Sequence, residues 1–311
     1  MLRRPARSLW IAAIPAVAAI CLGGCKTSKD ATALATQLST TSKALSGYYA
    51  ALDKELQATD QLNILGEGLN GTAYDKNAQG QIHDAMTAIE ERQVMADTLG
   101  QVGDAFGKLT GSTAAADAAS SANKLEGAVE GLKLLPGTLN SAEKNALTSA
   151  VQGVVTLIQQ HKERQAAEKM ADTADKLAAL FASEQNACNS INDQYADLSR
   201  SFAQALVRNH QVDTSAFASS LAASALSPYS LTAKLSDDVK ARLDKEVPNE
   251  IARESAALKA SHQKASEGME KSLQELAKTI TTLAADKPLA TNGPAATLGA
   301  VNQWASTILG K

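Results

Sequence analysis

The stretch AEKMADTADKLAALFASEQNACNSINDQYADLSRSF, residues 167–202, decides the fold class of this 311-residue chain. Ala167, Met170, Ala174, Leu177, Phe181, Glu184, Cys188, Ile191, Tyr195, Leu198 and Phe202 recur at steps of three and four, the spacing that lines one face of an α-helix. A strand would repeat every two residues. No convincing run of alternating β-branched residues occurs anywhere in the chain.

A second stripe lies just upstream. Leu147, Val151, Val154 and Ile158 follow Ser141 at steps of four, three and four. Continuing it would seat His161, Gln165, Glu168, Asp172 and Asp175 in the apolar seam, and the 167–202 stripe is offset from it by about two residues, roughly 200° around a helix. Burying unpartnered carboxylates costs far more than the apolar burial returns. The frames therefore predict that the helix breaks between Gln159 and Gln165, or stays continuous and changes the neighbour it packs on.

Other stripes extend the pattern in both directions. Leu34, Leu38, Thr41, Leu45, Tyr48 and Leu52 predict a first long helix from about Asp30 to about Leu65, and Ile82, Met86, Ile89, Leu99, Val102, Phe106 and Leu109 predict its return. Gly66 to Gly80, rich in Gly, Asn and Asp, reads as the hairpin turn between them. Gly100, Gly103 and Gly107 weaken the returning helix or mark a close helix contact. Thr110 to Leu135 is Ala, Ser and Gly rich and reads as a looser helix stopped by Pro136 and Gly137. Asp213 to Leu226 and the segment holding Val239 and Leu243 read as short helices. Pro248 suits the first turn of a last long helix carrying Ile251, Leu258, His262, Ala265, Met269, Leu273, Leu276, Ile280 and Leu283, because a missing N–H costs little there. Asn292, Gly293 and Pro294 form a turn before an amphipathic tail with Leu298, Val301, Trp304, Ala305 and Ile308. The expected fold is all-α, an elongated antiparallel helical bundle or set of helical hairpins with six to eight helices and coiled-coil-like seams.

Composition agrees with slender helices. About 60 residues are alanine and aromatics make up only 4%, so the core is thin and its helices lie close together.

The N-terminus carries a different signal. Arg3, Arg4 and Arg7 precede an apolar stretch from Leu9 to Ile20, followed by Leu22, Gly23, Gly24 and Cys25. The three-part order is that of an export signal, and the last four residues resemble the lipobox of bacterial lipoproteins. That resemblance covers about the first 25 residues and implies cleavage after Gly24 with a diacylglyceryl thioether on Cys25. Several acyl chains, palmitate among them, would hold the protein stably on a membrane where one would not. In Gram-negative lipoproteins an Asp after the acylated cysteine commonly retains the protein at the inner membrane; Lys26 stands there, which implies the outer membrane, facing the periplasm. The implied organisation is a cleaved signal at 1–24, a lipidated tether at 25–29 and an all-helical domain at 30–311, with a candidate division near 110–140.

Charge and motifs limit the chemistry. The formal net charge of −3 becomes about −6 once the three signal arginines leave, which argues against nucleic acid as a partner. Gly66, Gly68 and Gly71 spell G-x-G-x-x-G, but no strand precedes them as a dinucleotide site requires; turn chemistry explains them. His83, His161, His210 and His262 stand singly, without metal-ligand spacing, and no nucleophile elbow occurs. With Cys21 lost and Cys25 acylated, Cys188 is the remaining thiol; its seam position makes it a small buried hydrophobe, the other reading being a redox or intermolecular disulfide thiol. Trp304 is expected to pack on the bundle.

These readings assign no catalytic residue, metal or cofactor. They favour a non-catalytic, membrane-tethered helical lipoprotein, anchored through Cys25, that acts as a structural or interaction module toward another envelope protein. Two alternatives stand beside it: a carrier or sensor holding an apolar ligand inside the bundle with Thr110 to Leu135 as a flap, and a membrane-active helical protein.

Overall fold

Eight α-helices and no strand make up the described residues of a computed structural model, which are 15–71, 73, 75–107, 114–136, 138, 141–159, 163–215, 219–220, 222–223, 234–285 and 293–310. In chain order they are α1 (Pro15–Asn70), α2 (Lys76–Gly107), α3 (Ala114–Gly131), α4 (Ser141–Gln159), α5 (Glu163–Arg208), α6 (Asp237–Asp244), α7 (Val247–Ala284) and α8 (Gly299–Leu309), with a 3₁₀ turn at Pro294–Thr297 leading into the last. The all-α helical bundle expected from the stripes is what forms.

Two antiparallel pairs frame the bundle. In the first, Gly103 of α2 faces Leu38 of α1 and Gly100 faces Ser42. In the second, Gln185 of α5 donates to Glu270 of α7 at 2.7 Å, and Ser255 of α7 donates to the Ala196 carbonyl of α5 at 3.0 Å. Helix α1 is the shared element, packing on α2, α5, α7 and α8, while α3 and α4 close the circuit from α2 back to α5. A single apolar core runs through all of these, with Ala118, Leu125 and Leu132 contributing from the 110–140 region.

The core follows the stripes closely. Leu38, Thr41, Leu45, Tyr48 and Leu52 of α1, and Met170, Ala174, Leu177, Phe181, Glu184, Cys188 and Ile191 of α5, are all buried. On α7 the buried line is His262, Ala265, Met269, Leu273, Leu276 and Ile280, and on α8 it is Val301, Trp304 and Ala305. Leu34, Phe106, Leu109, Ile158, His161 and Leu283 lie outside the residues whose side chains are described.

The frame shift at Gln159 is resolved by a break. Helices α4 and α5 are separate and fold back on each other, so that a Cβ on Gly153 would meet the Lys169 side chain at 2.7 Å. Val151 and Val154 are buried while Glu168 and Asp175 stay exposed. Gly103 likewise marks a close contact, since a Cβ there would stand 2.6 Å from the Leu38 Cβ.

Three boundaries differ from the periodicity. Helix α1 runs to Asn70 and α2 starts at Lys76, so Gly66 and Gly68 are helical. Glycine weakens a helix interior by only about 1 kcal/mol, less than an established helix loses by ending early, and a sharp stop is available at Gly71, whose φ of +66° suits glycine. Asp75 then caps α2, its Oδ1 accepting the Asn77 N–H at 2.9 Å. At its other end α1 begins at Pro15, earlier than Asp30. Finally, α3 stops at Gly131, before Pro136. The following backbone is held by side chains instead: Glu91 accepts the Lys133 N–H at 2.6 Å, and Arg92 donates to the Lys133 carbonyl at 3.0 Å. Most of Asp213 to Leu226 lies outside the described residues.

Candidate functional site

Polar groups sit inside the bundle where the seams meet. Arg92 of α2 and Glu184 of α5 form a buried ion pair, with Arg92 Nε donating to Glu184 Oε2 at 2.7 Å and Nη2 to Oε1. The same guanidinium donates through Nη1 to the carbonyls of Ala88, at 2.7 Å, and Lys133. Burial opposes the charge on Arg92, but the hydrogen bond and charge of Glu184 outweigh it and raise its affinity for the proton. One side chain therefore ties α2, α5 and the chain after α3 together.

Next to the pair lies an aromatic cluster centred on Tyr48. Its ring centroid is 5.3 Å from Phe181, 5.1 Å from Trp304 and 5.6 Å from His262, and its hydroxyl shares a 3.0 Å hydrogen bond with His262 Nε2. Burial pushes the His262 imidazole down to about 4 and the Cys188 thiol up to about 12, the latter helped by the Glu184 carboxylate. At neutral pH both are uncharged. Cys188 and His262 are 1% and 2% exposed, so neither meets a dissolved reactant in this conformation.

A third polar element leads toward the surface. Glu55 of α1 is fully buried, accepts from Asn192 Nδ2 at 2.7 Å, and has its carboxyl raised to about 8 by burial. One turn further on, Thr59 lines two adjoining cavities of about 700 and 310 Å³, which share Thr59, Asn63, Ser190 and Gln194. The larger runs along α5 past Asn186, Asn189, Asp193 and Asp197; the smaller is bounded by Leu56, Ile82, Ala85, Leu135 and Ile191. Together they form a groove at the junction of α1, α2 and α5, with an amide and hydroxyl rim and an aliphatic pit. Such a volume lies in the range of about 300–1,000 Å³ usual for small-molecule sites. Lys259 of α7 spans the outer edge, its Nζ 2.8 Å from Asp197 Oδ2 and 3.6 Å from Asp193 Oδ1, which holds the Asp197 carboxyl below the usual range.

The residues singled out from sequence are scattered. Cys25 and His161 lie outside the residues whose side chains are described; His83 and His210 are exposed; Cys188, His262 and Trp304 join in the core. Among the described residues no group of three or more His, Cys, Asp or Glu could hold a metal ion, and no helix is long and apolar enough to cross a membrane. The groove was not foreseen, yet part of its signal was present. Steps of three and four from Tyr48 and Leu52 lead to Glu55 and Thr59, and the same steps from Ile82 through Ala85 and Ile89 lead to Arg92. A polar residue in an apolar frame marks a buried partner.

Fold and site together define, among the described residues, an all-α bundle with a buried polar core and an amide-rimmed groove. Compared with known proteins, the chain matches no family model, no curated protein and no solved structure.

Proposed function

We propose that the protein is a membrane-tethered, non-catalytic helical lipoprotein that presents its bundle as an interaction module in the cell envelope, anchored through lipid on Cys25. The observation that carries this reading is the lipobox Leu22, Gly23, Gly24 and Cys25 behind a basic and apolar export signal. The architecture suits such a role: from Cys25 to the turn at Gly71, α1 rises about 70 Å, a reach that carries the hairpin tip well away from an anchored end. Glu55, Cys188 and His262, all strongly shifted by burial, are enclosed in the bundle, where they serve packing and pairing more readily than turnover.

Labelling cells with a clickable palmitate analogue tests the anchor. The wild-type protein is expected to take up label and fractionate with membranes, and Cys25→Ala to lose both. Undiminished label in Cys25→Ala would end the lipoprotein reading. Chemical crosslinking in intact envelopes, followed by purification, then identifies the protein partner.

A further inference from the structure

The groove at the junction of α1, α2 and α5 has a lining selective enough to name a ligand class. We propose that it binds a neutral acetamido sugar of one or two rings, with the ring hydroxyls on the amide rim and the acetyl methyl against the aliphatic pit. The inference is independent of the membrane anchor, which lies about 50 Å away along α1 from Thr59.

Charge sets the first limit. The rim's ionic groups are Asp193 and Asp197, both paired with Lys259, and no Lys or Arg lines the groove among the described residues. An anion would face two carboxylates without a free cation, and a cation would have to displace Lys259. A neutral ligand meets neither obstacle.

Hydrogen-bonding capacity sets the second. Asn186 and Gln194 each carry a donor and an acceptor at an exposed position, and Ser190 carries an exposed hydroxyl, which matches ligand hydroxyl and amide groups that also do both. Thr59 is 4% exposed and lines both cavities, yet its Oγ1 has no hydrogen-bond partner among the described residues. The same holds for Asn189 Oδ1, and just beneath them for Glu55 Oε2 and Asn192 Oδ1. Four such atoms together are unusual in a folded interior; each is screened from solvent, so they give the groove a polar floor, and the hydrogen bonds to a ligand come from Asn186, Ser190 and Gln194, which are exposed.

The pit sets the third. Leu56, Ile82, Ala85 and Ile191 form an apolar wall beside the amides, so the ligand must carry a small apolar group next to a hydrogen-bonding one. An acetamido substituent has a methyl, a carbonyl and an N–H in that order. A peptide is read differently, through a free sheet edge or through apolar anchors in a groove, whereas the backbones of α1 and α5 are internally bonded and their side chains supply the rim.

Calorimetric titration of the detergent-solubilised full-length protein tests this with N,N′-diacetylchitobiose as the probe, and with maltose and N-acetyl-trialanine amide as comparators. Saturable binding of the probe is expected with a Kd of roughly 0.1–1 mM, and at least about 10-fold weaker binding of both comparators, as befits a site whose polar groups go unpaired with the wrong ligand. Ser190→Trp places an indole across the opening from an exposed position and should abolish binding; Gln194→Ala should weaken it several-fold, and serves alone if Ser190→Trp does not fold. No saturation by about 20 mM probe, equal binding of maltose or the peptide, or probe affinity unchanged in the folded variants would overturn the proposal. None of these results alters palmitate labelling of Cys25, so the two readings fail separately.

Discussion

Removing Arg92 should be among the most damaging single changes available to this fold. Arg92→Met keeps much of the aliphatic volume but leaves the Glu184 carboxylate, 1% exposed, without its cation. Breaking a buried pair from one side costs about 3–5 kcal/mol because the surviving charge loses its counter-charge while shut off from water. The Lys133 carbonyl also loses a donor, which adds about 1 kcal/mol; the Ala88 carbonyl keeps its place in the helix. The expected loss is about 4 kcal/mol or more, a large share of the roughly 5–15 kcal/mol that domains possess. Arg92→Met with Glu184→Leu removes both charges together, so the double variant should recover most of the loss, retaining about 1–2 kcal/mol from the Lys133 carbonyl and imperfect packing. Urea unfolding of wild type, both single variants and the double, followed by far-ultraviolet circular dichroism, closes the cycle. A loss below about 1 kcal/mol for Arg92→Met, or a double variant as unstable as the singles summed, would refute the assignment of this pair as a buried charge-compensated tie.

Glu55 titrates near 8 when folded against 4.5 as its ordinary value, so its contribution to stability is fully present below about 4.5 and is lost as pH rises through 8. Glu55→Gln, neutral and nearly isosteric, should therefore gain on wild type between pH 5 and 8.5 by a few kcal/mol at most, about 1.4 per pH unit separating the two titrations; parallel stability curves would contradict this. His262 acts in the opposite sense: its folded value of about 4 lies below the ordinary 6.5, so its stabilisation is present above 6.5 and lost as pH falls toward 4, and His262→Gln should flatten that acid limb in thermal unfolding. Gly66→Ala should raise stability by about 0.5–1 kcal/mol, since a methyl there meets nothing within 4 Å in a helix, whereas Gly103→Ala should lose about 1–2 kcal/mol by pressing on Leu38. The opposite order of unfolding midpoints would show that Gly66 belongs to a turn. Cys188 should react with a bulky thiol reagent far more slowly in the native protein than in urea, and Cys188→Ala should cost about 1 kcal/mol or somewhat more; rapid native labelling would mean that the seam opens.

Much of the architecture could be read from periodicity alone, because a helix repeats every 3.6 residues and its buried face is written into the chain at that interval. The alternating steps through Phe181, Cys188 and Ile191 name a helix and its buried side at once, and the mismatch of frames around Gln159 requires a break or a handover, which the α4–α5 hairpin supplies. Element ends were less legible. Glycines at 66 and 68 read as a turn, yet the helix runs through them to Asn70, a largely exposed run in which glycine costs only about 1 kcal/mol; Leu132 to Leu135 read as helical, yet Glu91 and Arg92 hold the Lys133 backbone in a non-helical stretch.

The sequence by itself determined the helical class, the frames of the seams and the presence of polar residues inside those frames, since each depends only on the spacing of neighbours along one helix. Which polar residue meets which was decided by the tertiary structure alone. Arg92 finds Glu184 across 92 positions, Glu55 finds Asn192 across 137 and Tyr48 finds His262 across 214; no local period encodes those separations. The groove is of the same kind. Thr59, Ile82, Leu135 and Gln194 come from four parts of the chain, and their juxtaposition exists only once α1, α2 and α5 have packed, because a cavity is a property of surfaces that long-range burial brings together.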